Sequence, residues 1–154
     1  FDPWLIAFPT CSSAAAMAAN LVASRRLGAT NAIASFAVPL GNTINMNGTA
    51  VYMGVTAVFA AQIYGLPLTF SDQVIVVLTG VPAGVPGAGL IMSTLVFTQI
   101  GIPLEVVALI AGVDRVLDMI RTSINVVGDS TTALAVSRME GELGSEPFDE
   151  EEAK

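Results

Sequence analysis

The chain has 154 residues, 53% of them hydrophobic and 12% charged, with a formal net charge of −7 and a mean hydropathy of +0.71. This is more apolar and less charged than an ordinary soluble domain, so a membrane protein is the expected class. Histidine is absent and Cys11 is the single cysteine, which removes Ser-His triads, most zinc sites and any intrachain disulfide framework.

The chain opens "FDPWLIAFPT", without a Met, a basic n-region or a small-residue cleavage site. No signal peptide is expected there, and the chain reads as the C-terminal piece of something longer. Residues roughly 12 to 24 form a short Ala-rich helix ending at "SRRLG", followed by a long apolar stretch from roughly 29 to 64. That stretch is interrupted at Gly41–Ala50, "GNTINMNGTA", where three asparagines and two threonines fall within ten residues. Two short apolar runs follow, about 71 to 81 and 88 to 100, joined by the Gly/Pro cluster "TGVPAGVPGAG". A spanning helix needs about 20 apolar residues, whereas runs of about 10 to 14 more often enter and leave by the same side. The pair therefore predicts a re-entrant hairpin.

Arg25 and Arg26 lie in one connector and Arg138 at the end of the last apolar segment, whereas the connectors between carry only Asp72 and Glu105. Under the positive-inside rule the first connector and the C-terminus are cytoplasmic. One span outward, the hairpin and one span inward satisfy that topology. The net charge is local. Residues 140–154 hold seven carboxylates against Lys154, leaving −6, and such a run predicts a solvated, disordered tail.

Unwound backbone at membrane depth is tolerated only where protein or a water-filled cavity satisfies it. Interrupted apolar segments point to a transporter binding site, because broken helices offer N–H ends to anions and carbonyls to cations. Two such places occur, at Gly41–Gly48 and Gly80–Gly89. In the last segment, "GVDRVLDMIRTSINVVGDSTTALAVSR", residues Asp114, Asp118, Arg121, Asn125 and Asp129 fall at steps of four, three, four and four. At about 100° per residue they share one helix stripe. Ionisable groups inside a membrane segment are normally paired or line a pathway, and here acids outnumber the base.

Arg121 offers a planar fork for a carboxylate, Asp118 an acceptor for an ammonium, and Asn125 both a donor and an acceptor. Together they would read an amino acid with an acidic side chain, its α-carboxylate on Asn125 and on backbone N–H groups of the hairpin tips. Asp129 is left to hold a hard cation through oxygen. The simpler alternative is a structural Asp118–Arg121 ion pair.

These motifs resemble those of the dicarboxylate/amino acid:cation symporter family, the glutamate/aspartate transporters, over about residues 8 to 143. "CSSAA" looks like the serine-rich tip of the first re-entrant hairpin, "NMNGTA" the NMDGT break of the seventh span, "GVPGAG" the tip of the second hairpin, and "DMIRTSINVVGD" the binding segment of the eighth span. The resemblance implies an all-α membrane protein of broken transmembrane helices plus re-entrant helical hairpins, a glutamate-transporter-like transport domain. It divides the chain into the second half of the first hairpin (1–27), a broken transmembrane helix (28–66), the second hairpin acting as gate (70–101), the last transmembrane helix (102–139) and an acidic disordered cytoplasmic tail (140–154).

It further implies that substrate is held by Ser13, Thr49, Asp118, Arg121, Thr122 and Asn125 with backbone at Val85 and Gly89. One sodium is implied near carbonyls of Gly41, Asn45 and Asn125 with the Asp129 carboxylate. A second is implied among carbonyls of Thr43, Thr79, Gly80 and Pro82, with Met46 nearby. The family's third site uses the acid of NMDGT, which is Asn47 here, so that site is expected to be weakened, absent or replaced by proton coupling, since hard-cation affinity follows ligand charge. Cys11 and Pro82 also depart from the family's usual residues.

The implied activity is symport of aspartate or glutamate with sodium by an elevator movement, in a homotrimer of the inner (cell) membrane whose scaffold lies N-terminal to these residues. Partners are then the acidic substrate and the lipid bilayer, with no nucleic acid, and no enzyme activity is expected. Within the family, a C4-dicarboxylate or a neutral amino acid is the alternative substrate, though members with neutral substrates typically lack the arginine found here as Arg121. An intramembrane aspartyl protease is the competing class. "NVVGD" lacks the first glycine of its G-x-G-D motif, and nothing on that reading explains Arg121.

Overall fold

A computed structural model of the chain describes residues 2–79 and 88–149, and among these every regular element is an α-helix. Helices α1 (Asp2–Thr10) and α2 (Ser13–Arg26) meet at Cys11 and Ser12. Cys11 lies at φ 53°, a left-handed conformation that ends α1 because a side chain cannot continue a helix from it. Ser12 restarts the chain by accepting a hydrogen bond from the Ala15 N–H at 3.2 Å, a standard N-cap. Residues 2–26 thus hold two helices joined by a sharp turn, within the stretch read from the sequence as the second half of the first hairpin.

The long apolar stretch divides into α3 (Asn31–Ile44) and α4 (Asn47–Tyr64). The last bond of α3 runs from the Asn45 N–H to the Gly41 carbonyl at 2.7 Å, and the ladder resumes with the Ala50 N–H on the Met46 carbonyl at 2.9 Å. Between them Asn45 (ψ 65°) and Met46 (ψ 53°) leave helical geometry, so backbone groups around Thr43–Met46 lack the partners a continuous helix supplies. At its other end α4 stops at Gly65, whose φ of 63° closes the last turn as glycine C-caps do.

Helices α5 (Phe70–Thr79) and α6 (Ala88–Gln99) pack on each other and on α4; the expected hairpin tip between them lies outside the described residues. Asp72 caps the start of α5 by accepting from the Thr69 hydroxyl at 2.7 Å and the Thr69 N–H at 2.8 Å, which holds its carboxyl below the usual carboxylate range. The 35-residue α7 (Glu105–Met139) is the spine, packed against α1, α2, α3, α4 and α6.

The main core lies between α4, α5, α6 and α7, around Met53, Ala57, Ala60, Val96, Phe97 and Val106. Smaller clusters, Ala7–Ala16–Val126 and Ala37–Val38–Ala133, join the first three helices to α7. Alanine at these crossings brings backbones close. Among the described residues no helix is long and apolar enough to cross a membrane. In α7 the run of charge from Asp114 to Asp129 lowers the hydropathy, and the break at Asn45–Met46 shortens α3 and α4.

The C-terminal segment departs from the expected disordered tail. Through Asp149 it folds back on the α2–α3 corner: the Gly144 N–H donates to the Gly28 carbonyl at 2.8 Å, and the Asn31 N–H donates to the Glu146 carboxylate at 2.6 Å. Glycines supply the reversal, with Gly141 at φ 74° and Gly144 at φ 76°. Composition predicts disorder from charge density, but here the charges have specific partners; residues 150–154 lie outside the description.

Candidate functional site

Every member of the polar stripe on α7 is buried: Asp114, Asp118, Arg121, Thr122, Asn125 and Asp129 are each at most 6% exposed. Charges taken out of water persist only when paired. Arg121 is paired twice, through Nε to Asp118 Oδ1 at 3.1 Å and through Nη1 to Asp114 Oδ1 at 2.9 Å. The Thr122 hydroxyl donates to the same Asp118 oxygen at 3.1 Å. The simpler reading of an Asp118–Arg121 pair is therefore present, but as part of a larger network.

Sequence reasoning missed one member of that network and gave another no role. Tyr52, on α4, donates its hydroxyl to Asp114 Oδ1 at 2.8 Å, and its ring lies 4.2 Å from the Arg121 guanidinium carbon, a cation–π contact. Asp114 was visible on the stripe but had no role assigned. The guanidinium is also approached by α6, where the backbone of buried Gly89 comes so close that a Cβ there would lie 2.6 Å from Nη1. Nη2, left out of the two ion pairs, faces the same glycine.

The amide-rich break abuts the next turns of α7. Asn125 Oδ1 accepts from the Gly48 N–H at 2.7 Å, while its Nδ2 donates to Thr49 Oγ1 at 3.1 Å and Met46 Sδ at 3.2 Å. Gly48 is required by proximity, since a Cβ would sit 2.9 Å from the Arg121 Cα. One turn on, Asn45 Nδ2 donates to Asp129 Oδ1 and to Thr132 Oγ1, both at 3.3 Å. A Cβ at Gly41 would lie 2.6 Å from that Asp129 oxygen, and one at Gly128 would lie 2.8 Å from Asn47 Nδ2. Three glycines, on α3, α4 and α7, thus let the broken backbone reach the stripe.

The structure brings Gly89 and Asp118 to the Arg121 guanidinium, with Thr122 on the same Asp118 oxygen; Thr49 and Asn125 bond each other along the stripe, and Gly41, Asn45 and Asn47 lie beside Asp129 or its neighbour Gly128. Ser13 is buried in the first turn of α2, which packs on α7, but enters none of these hydrogen bonds. The exposed hydroxyl of Thr43 donates to the Leu40 carbonyl at 2.8 Å. Thr79 ends α5, and Gly80, Pro82 and Val85 lie outside the described residues. Among the described residues no group of three His, Cys, Asp or Glu side chains is placed to hold a metal. Asp129 stands instead with amide and hydroxyl groups.

Comparison with known proteins adds an independent line. The model of the "Sodium:dicarboxylate symporter family" matches residues 1–139. The chain is 36% identical over 151 residues to a proton/sodium-glutamate symport protein of Bacillus caldotenax, covering 94% of this chain and 36% of that protein. It is 39% identical to the proton/glutamate-aspartate symporter of Escherichia coli K12, covering 90% of this chain and 33% of that protein. An excitatory amino acid transporter of Caenorhabditis elegans is 44% identical, over 86% of this chain and 28% of that protein. The chain therefore spans about a third of the length of the curated relatives it matches.

Proposed function

The chain belongs to the sodium:dicarboxylate symporter family, and from that premise we propose that it forms the substrate- and cation-binding part of a membrane symporter for acidic amino acids. The observation that carries this reading is the buried Arg121, in contact with the Tyr52 ring and close to the Gly89 backbone, with Nη2 outside its two ion pairs. Once α6 moves away, a carboxylate side chain would meet that guanidinium, and charge-assisted bonds to it would distinguish an acidic substrate from a neutral one. The α-amino group is taken by Asp118, and the remaining carboxylate by Asn125, Thr49 and the first hairpin turn at Ser13. Support for glutamate or aspartate over malate comes from the relatives, whose names are glutamate and glutamate-aspartate symporters.

Sodium is the second substrate in this reading. Asp129, with the broken backbone of Gly41–Met46 against it, would supply carboxylate and carbonyl oxygens of the kind hard cations take; the Asn45 amide donates its Nδ2 to that carboxylate and is not one of them. A second ion would use carbonyls of Thr43, Thr79, Gly80 and Pro82 with Met46 beside it. Binding there would order the break before substrate arrives. The α5–α6 hairpin would close over the loaded site, and only the empty or full core would cross, as an elevator within a homotrimer. Coupling follows because a ligand shifts conformations only by its differential affinity for them. No step makes or breaks a covalent bond, in keeping with a family of transporters and not of enzymes.

The test is uptake in liposomes by the protein that carries this chain, comparing aspartate, glutamate, malate and serine under sodium or proton gradients. Sodium-driven accumulation of aspartate or glutamate is expected. Uptake of serine or malate in preference, or accumulation driven by protons alone, would overturn the substrate or the ion assignment respectively.

A further inference from the structure

We propose that residues 140–149 are a salt-sensitive strap that ties the end of α7 to the α2–α3 corner and so restrains the α1–α2 hairpin. The strap has a backbone anchor and a charged one. Its backbone anchor is the Gly144 N–H on the Gly28 carbonyl. Gly28 is at φ 105°, and a Cβ there would lie 3.3 Å from the Gly144 nitrogen, so the corner is shaped for this close approach.

The charged anchor complements both helix ends that meet at the corner. Glu142 accepts from the Thr30 hydroxyl at 3.2 Å, and Glu146 accepts from the Asn31 N–H, the first residue of α3. A helix N-terminus favours negative charge, and the last turn of α2, with Arg25 and Arg26, favours positive charge. Arg25 lies 3.9 Å from Glu146, and the Phe148 ring sits 5.7 Å from the Arg25 guanidinium carbon and 5.5 Å from that of Arg26. Arg26 also reaches Asp2, at the start of α1, at 3.9 Å. The strap thus contacts the α2 arm directly and, through Arg26, is linked to the α1 arm of the hairpin whose far end is the Cys11–Ser12 turn.

These contacts are partly exposed, with 49% of the Glu146 side chain accessible, so added salt weakens them as the screening length falls from about 10 Å at 0.1 M to about 3 Å at 1 M. The experiment uses the full protein in detergent, unmodified and as the triple variant Glu142→Gln, Glu146→Gln, Phe148→Ala. Amide hydrogen exchange is followed across residues 24–31, and the labelling rate of Cys11, 1% exposed at the hairpin turn, is measured in parallel. In the variant both rates are expected to rise about fivefold or more. Raising salt to 1 M should speed the unmodified protein toward the variant and leave the variant nearly unchanged. Corner exchange that ignores the three substitutions, or a salt response of equal size in both proteins, overturns the strap. Faster corner exchange with Cys11 labelling unchanged overturns the restraint on the hairpin.

Discussion

At the scale of single residues, the Arg121 network sets opposing demands on stability and recognition. Removing one partner of a buried ion pair leaves the other uncompensated, at a cost of about 3–5 kcal/mol. Arg121→Gln should therefore lower the unfolding free energy by about that amount and weaken acidic substrates about a hundredfold or more. Adding Asp114→Asn, which leaves a neutral acceptor for the Tyr52 hydroxyl, should recover much of the stability and none of the affinity. Chemical denaturation and calorimetric titration of the two variants separate these effects, and recovery of aspartate affinity in the double variant would show that Arg121 is not the carboxylate contact. Gly89 tests the same site by shape. A methyl at Gly89 collides with the guanidinium, whereas Gly54 has nothing within 4 Å of the equivalent position. Gly89→Ala should abolish measurable aspartate binding, while Gly54→Ala, in the interior of α4, should bind normally and gain about 0.5–1 kcal/mol of stability. Normal aspartate binding by Gly89→Ala would remove the case for a substrate site beneath that glycine.

At the scale of elements, spacing carried more information than composition. Steps of three and four on α7 were enough to place Asp114, Asp118, Arg121, Asn125 and Asp129 on one face, because helical period is a local property. The amides of Gly41–Ala50 marked a discontinuity that the structure puts at Asn45–Met46. Tyr52 was not legible, since a tyrosine in an apolar helix announces only that its hydroxyl needs a partner, and that partner is 62 residues away. The folded-back tail was not legible for a related reason: its partners at Gly28, Thr30 and Asn31 are more than a hundred residues distant in sequence. Asn47 is where element and function meet. It opens α4 with its amide beside Gly128 of α7, so a carboxylate at that position would add charge to the interface holding the break. Asn47→Asp is expected to raise sodium affinity and to increase the number of sodium ions moved per aspartate. An unchanged ratio in paired tracer-flux measurements would mean that the amide already serves the site as well as a carboxylate does.

At the scale of the whole molecule, the described helices fall into an α1–α3 group and an α4–α6 group. The break at Asn45–Met46 joins the α1–α3 side to the α4–α6 side, and α7 packs against both. Cations proposed beside Asp129 and substrate proposed at Arg121 would thus act on the same face of α7, about two turns apart along the Arg121–Asn125–Asp129 stripe. Asn125 links them directly, since one amide holds both the Gly48 N–H at the break and the Thr49 hydroxyl of the substrate set. Such an arrangement predicts reciprocal linkage, in which each ligand raises the affinity of the other by the same factor. A ligand that binds only the native state adds about 2.7 kcal/mol of apparent stability at a hundredfold excess over its Kd, so the coupling is readable in thermal unfolding without any transport assay. Aspartate should raise the Tm of the purified protein strongly in sodium and little when sodium is replaced by choline, and sodium should raise it more with aspartate present than without. Asp129→Asn should reduce the sodium-dependent part of the shift and Arg121→Gln the aspartate-dependent part. Equal aspartate shifts in sodium and in choline would mean that the break and the guanidinium pocket bind independently, and the coupling would then have to come from the movement of the hairpin and not from Asn125.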